Sequence, residues 1–217
     1  MGLFYYLKKN IITIAAAITL FASSPVFFSQ QIIPVTASAI TAEAKPAATG
    51  MISLNEFSEA LKDGKAKSIK GIYAPDVFSL RVLQQPSGKP GFVSSVDGTA
   101  TQFGMATSNN VTGMLAHNFA AGRHFFNLAI DDVVDVVYGD GTIKEYKITQ
   151  IKRYQALSPK SASSNFLDLD TNEKLSAASL FSKVYTGKHH LTLQTCIQDG
   201  TEDSWGRLFI MAEPVEA

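Results

Sequence analysis

Apolar and polar residues alternate with a period of two along most of the chain after residue 68, a pattern typical of half-buried β-strands. The alternation is clearest in residues 132–154, where two β-branched runs flank Gly139-Asp140-Gly141 and indicate a hairpin. The other strand-like segments are residues 68–74, 77–84, 91–96, 111–117, 190–196 and 206–214. Many short strands at regular spacing predict a closed or nearly closed β-barrel.

Two segments depart from this period. Ser53 and Glu56 have the spacing of a capping box, and Phe57 and Leu61 continue it at helical spacing, so a short amphipathic helix is predicted to open the domain. Residues 155–188 are mostly polar and predict a long connection with one or two helical turns. The predicted fold class is therefore mainly β, with a short N-terminal helix and a long loop before the strand that carries the cysteine.

The first fifty residues have the pattern of an export signal. Lys8 and Lys9 precede an apolar run from residue 11 to residue 21, extendable to residue 28, and small residues follow at positions 37–39. We therefore assign residues 1–39 to a signal peptide or a membrane anchor, 40–50 to a linker and 51–217 to the functional domain. Both N-terminal interpretations place the domain outside the cytoplasm, secreted or anchored, and membrane contact would involve only residues 11–28.

The composition excludes several classes of protein. The formal net charge is zero, and removal of residues 1–39 would leave it near −2, so no electrostatic footprint for nucleic acid is present. The single cysteine, Cys196, cannot form an internal disulfide. The sequence contains no Gly-rich phosphate loop, no GxSxG motif and no zinc-ligand spacing. These absences argue against a nucleotide enzyme, a serine hydrolase and a zinc site.

The position of Cys196 raises the question of whether its thiol is a buried small hydrophobe or a nucleophile. In a strand over residues 190–196, Leu191 and Leu193 share one face and Cys196 lies on the other, more polar face. If the last two strands pair around a loop at residues 197–206, Cys196 faces Arg207, with about 5 Å between their Cβ atoms. A guanidinium beside a thiol favours the thiolate or stabilises an oxyanion.

A proton donor would complete this site, and the chain has four histidines. His117 is the best placed, because it ends an apolar strand and enters a loop. His124, beside Arg123, is a rival acid–base residue, whereas His189 and His190 are interpreted as surface residues.

Three segments together resemble sortases, the cysteine transpeptidases of bacterial cell surfaces. LTLQTC at residues 191–196 is similar to their cysteine strand, GMLAHN at 113–118 to the segment with their catalytic histidine, and WGRLFIMAEP at 205–214 to their last strand. The resemblance implies an eight-stranded sortase-type barrel with Cys196, His117 and Arg207 as catalytic residues. It also implies substrates that are surface proteins with a C-terminal sorting signal, and an amine acceptor in the cell envelope.

The implied reaction is cleavage of a sorting-signal peptide bond through a cysteine thioester, followed by transfer to the amine. Two alternatives remain open at this stage: a sortase-fold cysteine protease that only hydrolyses, and a non-catalytic barrel that binds peptides or wall components. No cofactor is predicted. The acidic stretch at residues 168–173 is interpreted as a solvated turn, with a calcium site as the alternative.

Overall fold

Eight strands close into a barrel, and two short strands branch from it. The computed structural model describes residues 51–161 and 163–216, so the predicted signal or anchor and the linker lie outside the described part. The strands are β1 (Ile69–Ala74), β2 (Phe78–Gln84), β3 (Thr99–Gln102), β4 (Thr112–Leu115), β5 (Val133–Tyr138), β6 (Ile143–Ala156), β7 (Phe166–Asp168), β8 (Lys174–Leu175), β9 (Leu191–Asp199) and β10 (Glu202–Pro214).

The order of hydrogen-bonded neighbours shows how the barrel closes. The strands follow one another as β10-β9-β4-β3-β2-β1-β5-β6, and β6 pairs again with β10. β7 pairs with β6 on the outside of this ring, and β8 pairs with β7. The predicted eight-stranded barrel is confirmed.

The predicted N-terminal helix is present as α1 (Leu54–Leu61). The backbone N–H of Glu56 donates to the Ser53 Oγ at 3.3 Å, and the Glu56 carboxylate accepts from the Ser53 N–H at 3.0 Å, which completes the capping box. Phe57 and Leu61 pack on the barrel wall over Gly71, where an added Cβ would lie 2.5 Å from the Leu61 Cδ1. Glycine at this position therefore lets the helix approach the sheet.

Two sequence predictions about strands are wrong. Residues 91–96 form no strand, because the Gln85 side-chain amide donates to the carbonyls of Pro90 and Phe92 and satisfies them outside the sheet. The third strand is β3 instead, and it pairs in parallel with β2. The loop predicted at residues 197–206 is also much shorter, since β9 continues to Asp199 and β10 begins at Glu202.

The barrel wall separates two apolar cores. The inner core fills the barrel with side chains that include Leu191, Leu193, Leu208 and Ile210. A second cluster lies on the outer face of the wall; its members are Phe103, Ala106, Val111, Leu115, Tyr154, Ala156, Phe166, Leu175, Ala177, Leu180, Phe181, Val184, Tyr185, Phe209 and Met211. Because β9 and β10 alternate between these cores, both of their faces are buried.

The long connection before β9 supplies the cover of the outer core. It holds β7, β8 and helix α3 (Ala177–Tyr185), so it contains more regular structure than the one or two turns predicted. The Tyr185 hydroxyl donates to the Gln194 Oε1 at 2.7 Å, and the Thr192 hydroxyl donates to the Val184 carbonyl at 2.8 Å. These bonds tie α3 to β9.

The remaining helices are short. They are α2 (Gly104–Thr107) and a 3-10 helix (Ala121–Asn127) whose Ala121 and Phe125 enter the inner core. Among the residues that the structure describes, no helix is long and apolar enough to cross a membrane.

Truncation of an α3 core residue tests this docking. Leu180 is fully buried, so Leu180→Ala should lower the free energy of unfolding by about 2–5 kcal/mol, measured by urea denaturation. The control Ser182→Ala, on the exposed side of α3, should change it by less than about 0.5 kcal/mol. Equal effects of the two substitutions would show that α3 does not pack on the barrel in this way.

Candidate active site

Cys196 and Arg207 face each other across the β9–β10 ladder, as the sequence predicts. The two residues are register partners, and Arg207 is in turn the partner of Tyr154 on β6. Directly facing residues have Cβ atoms about 5 Å apart. The predicted register of this pair is confirmed.

His117 follows the strand on the other side of β9. β4 is parallel to β9, with Leu115 opposite Gln194, and the backbone N–H of Ala116 donates to the Gln194 carbonyl at 3.1 Å. β4 ends at Leu115, two residues before His117. Cys196 and Arg207 thus face each other on β9 and β10, and His117 lies in the segment that follows β4, the strand on the other side of β9.

The imidazole of His117 is half-buried and held on two sides. Its ring stacks on the exposed Phe119 ring, with 4.7 Å between the centroids and 21° between the planes. Burial lowers the pKa of His117, and a hydrogen bond with the backbone of Val93 acts in the opposite direction. The neutral imidazole is therefore favoured, and it is the form that can accept a proton.

Arg207 is fully buried, and its own strand supplies two of its hydrogen-bond acceptors. The Nη1 atom donates to the carbonyls of Ser204 at 2.8 Å and Gly206 at 2.7 Å. The β9–β10 register shifts between Glu202 and Gly206, and this irregularity turns those carbonyls toward the guanidinium. Burial lowers the pKa of Arg207, while Cys196 and Glu202 act in the opposite direction.

The thiol of Cys196 is fully buried, so the more polar face of β9 on which the sequence places it is not open to solvent. Thr192 and Gln194 are also fully buried, and both are hydrogen-bonded to residues of α3. Burial raises the pKa of the thiol to about 12, Arg207 lowers it, and Asp203 and Glu202 raise it further. In this conformation the thiol is protonated, so reaction requires both access to it and a proton acceptor.

The sequence pattern did not predict two buried polar residues that extend the line of register partners Cys196 and Arg207 across the sheet. Tyr154 is the register partner of Arg207, and Asp168 on β7 is the register partner of Tyr154. Both are almost completely buried. Burial raises the pKa of Tyr154, and the Asp168 carboxylate raises it further. These residues can be related to Arg207 only through the β6–β10 pairing, which joins segments about fifty residues apart in the sequence.

The acidic stretch at residues 168–173 forms a tight turn rather than a fully solvated one. The Asp168 carboxylate is buried and accepts from the backbone N–H groups of Asp170 at 2.9 Å and Thr171 at 3.2 Å, while Asp170 pairs with Lys152 at 2.8 Å. Within residues 51–161 and 163–216, no group of three or more His, Cys, Asp or Glu side chains could hold a metal ion. The prediction that the protein needs no cofactor stays a prediction.

The other three histidines lie apart from the register partners Cys196, Arg207 and Tyr154. His189 and His190 are half-buried rather than on the surface: His189 contacts the Tyr146 hydroxyl at 2.8 Å, and both ring nitrogens of His190 face backbone carbonyls. His124 belongs to the 3-10 helix, beside the Arg123–Asp97 ion pair. His117, by contrast, follows β4, which pairs in parallel with the cysteine strand β9.

No protein-family model and no curated protein sequence matches the chain. The solved structures to which it is similar include sortases of several classes. A pilus-related sortase C of Group B Streptococcus has 17% sequence identity and a TM-score of 0.46, over 79% of this chain and 78% of that one.

Two further sortases show a similar degree of likeness. Sortase A of Listeria monocytogenes has 13% identity and a TM-score of 0.41, over 71% of this chain and 89% of that one. A sortase C of Clostridium perfringens, solved with the C-terminal cell wall sorting motif, has 16% identity and a TM-score of 0.42, over 76% of this chain and 86% of that one. At these identities and TM-scores, the similarity assigns no activity to this chain.

Removal of one negative charge near the thiol tests the electrostatics of this site. Asp203→Asn should lower the pKa of Cys196 and increase the thiolate fraction at pH 9, so alkylation by iodoacetamide should be roughly twofold to fivefold faster. The rate is measured from the mass of the intact protein. The control Asp199→Asn, on the exposed tip of the same hairpin, should leave it unchanged. An unchanged or lower rate in Asp203→Asn would contradict this description of the site.

Proposed function

We propose that this chain is a sortase-like cysteine transpeptidase that acts outside the cytoplasm on proteins with a sorting signal. The observation that supports the proposal is that Cys196 on β9 faces Arg207 on β10, while His117 follows β4, the other neighbour of β9. The LTLQTC, GMLAHN and WGRLFIMAEP segments that bear these residues add the sequence resemblance. An arginine beside a thiol, together with a neutral histidine that can reach the thiol, is a chemically sufficient set for acyl transfer.

In the first half of the proposed reaction, the Cys196 thiol transfers its proton to His117 and the sulfur attacks the carbonyl carbon of the scissile peptide bond. The guanidinium of Arg207 stabilises the resulting oxyanion or orients the peptide backbone. The C–N bond then breaks, and the proton held by His117 goes to the leaving amine. The acyl group remains on Cys196 as a thioester.

In the second half, an incoming amine attacks the thioester carbonyl while His117 accepts its proton. The C–S bond breaks, and Cys196 leaves as a thiolate that His117 reprotonates. If water takes the place of the amine, the same steps release a free acid and the enzyme is a protease. Sorting-signal proteins and an envelope amine are accordingly the proposed partners.

One observation favours a non-catalytic barrel with an inert thiol. Cys196 has no exposed surface, and burial raises its pKa to about 12. Buried cysteines of this kind commonly serve as small apolar residues. The transpeptidase proposal therefore requires that substrate binding uncover the thiol, whereas the binding-module alternative requires no movement.

The first test is covalent capture of the acyl group. The full-length protein is mixed with a pool of sorting-signal peptides of the LPxTG type, and its intact mass is measured. A peptide-sized adduct is expected for the wild type, none for Cys196→Ala, and at least about a tenfold lower yield for His117→Ala and Arg207→Ala.

The matched control is His124→Ala. It removes a histidine of the 3-10 helix that has no role in the proposed reaction, so the adduct should still form. If the wild type acquires no mass from a broad peptide pool and its thiol also resists iodoacetamide, the inert-thiol alternative is the better description. If an adduct forms, an added amine distinguishes the two enzymes: a transpeptidase gives the amide product, and a protease gives the free acid whether or not the amine is present.

A further inference from the structure

A side-chain hydrogen bond connects the two strands that flank the cysteine strand. The Asn118 Nδ2 donates to the backbone carbonyl of Asp203 at 3.1 Å. Asn118 follows β4, and Asp203 belongs to β10, while β9 lies between these strands in the sheet. The bond therefore links the segment after β4 to the strand on the other side of β9.

The bond joins the segments on the two sides of β9 near the end of that strand which carries Cys196. Asn118 follows His117 directly in the chain. Asp203 lies in the irregular part of β10 between Glu202 and Gly206, opposite the end of β9 that follows Cys196. The negative charge of Asp203 also acts on the thiol. The Asn118–Asp203 bond therefore fixes the backbone of a residue whose charge acts on the Cys196 thiol.

The backbone of the same loop is fixed on the side of the barrel interior. The His117 carbonyl accepts from the N–H groups of Ala120 at 3.0 Å and Gly122 at 2.9 Å. Gly122 packs against the Thr195 side chain, and an added Cβ would lie 2.7 Å from the Ala116 carbonyl oxygen. The Asn118 amide is thus the connection of this loop to β10, and it follows His117 directly in the chain.

We propose that Asn118 is a positioning residue. Its side-chain hydrogen bond to the Asp203 carbonyl holds His117 near Cys196 and closes the loop that follows β4 over the thiol. The catalytic part of this inference rests on the proposed transpeptidase function, whereas the covering of the thiol does not. Loss of this hydrogen bond changes two rates in opposite directions. Alkylation of Cys196 becomes faster because small reagents reach the sulfur, and thioester formation becomes slower because the imidazole of His117 is no longer held in place.

The test uses the full-length protein and two rates. In Asn118→Ala, alkylation of Cys196 by iodoacetamide at pH 8 should be roughly threefold to tenfold faster than in the wild type, the factor expected for one lost hydrogen bond. Formation of the peptide thioester should be at least about tenfold slower, because the proton acceptor is no longer held in place. Asn118→Gln keeps an amide donor and should move both rates back toward those of the wild type.

Asn109→Ala is the matched control. The Asn109 amide makes the same type of bond, to the Met105 carbonyl at 2.8 Å, at the opposite end of β4. Both variants are assayed at least about ten degrees below their melting temperatures, so that global unfolding does not expose the thiol. Alkylation should be unchanged in Asn109→Ala.

The outcomes separate this inference from the proposed function. Equal alkylation rates in Asn118→Ala and the wild type, or equal acceleration in Asn109→Ala, would overturn the inference. Faster alkylation with unchanged thioester formation would overturn the positioning role. If alkylation is faster but no peptide forms an adduct even on the wild type, the closure over the thiol is supported and it is the transpeptidase proposal that fails.

Discussion

The last strand is hydrogen-bonded along both of its edges, and this double pairing holds the rest of the structure together. β10 joins β9 on one side and β6 on the other, which closes the ring and leaves no open edge there. The same two ladders place Arg207 between Cys196 and Tyr154. A shift of either register by one residue would turn Arg207 toward the apolar interior of the barrel. Barrel closure and assembly of the candidate site are therefore a single constraint.

Burial of the site produces a conflict between stability and chemistry. Removing a guanidinium from water costs several kcal/mol, which hydrogen bonds to the carbonyls of Ser204 and Gly206 partly offset. Burial also raises the pKa of Cys196 and leaves it without exposed surface. The burial that accompanies the closed barrel wall thus keeps the thiol protonated, and a catalytic Cys196 depends on a movement that exposes it.

Local pattern was sufficient to predict the hairpin of β5 and β6, the capped helix α1 and the facing of Cys196 and Arg207, because each involves residues close in sequence. The β6–β10 and β2–β3 pairings depend on contacts across long connections, where the two-residue period carries no information about the partner strand. The outer core was missed for another reason. Gln194 and Cys196 alternate with leucines and so resemble a solvent face, but Tyr185 of α3 donates to Gln194 and buries it. A covered polar face and a solvated one have the same sequence pattern.

The inert-thiol and catalytic interpretations differ in what they require of Arg207. A cysteine that only fills space needs no guanidinium opposite it, and replacement of a buried charge by an apolar side chain is often neutral or stabilising. In this barrel the strand turns two of its own carbonyls toward Arg207, although the neighbouring outward-facing residues on β10, Phe209 and Met211, are apolar. The arginine therefore carries an energetic cost that packing alone does not explain. In the proposed transpeptidase, stabilisation of the oxyanion that forms when Cys196 attacks a substrate carbonyl would account for that cost.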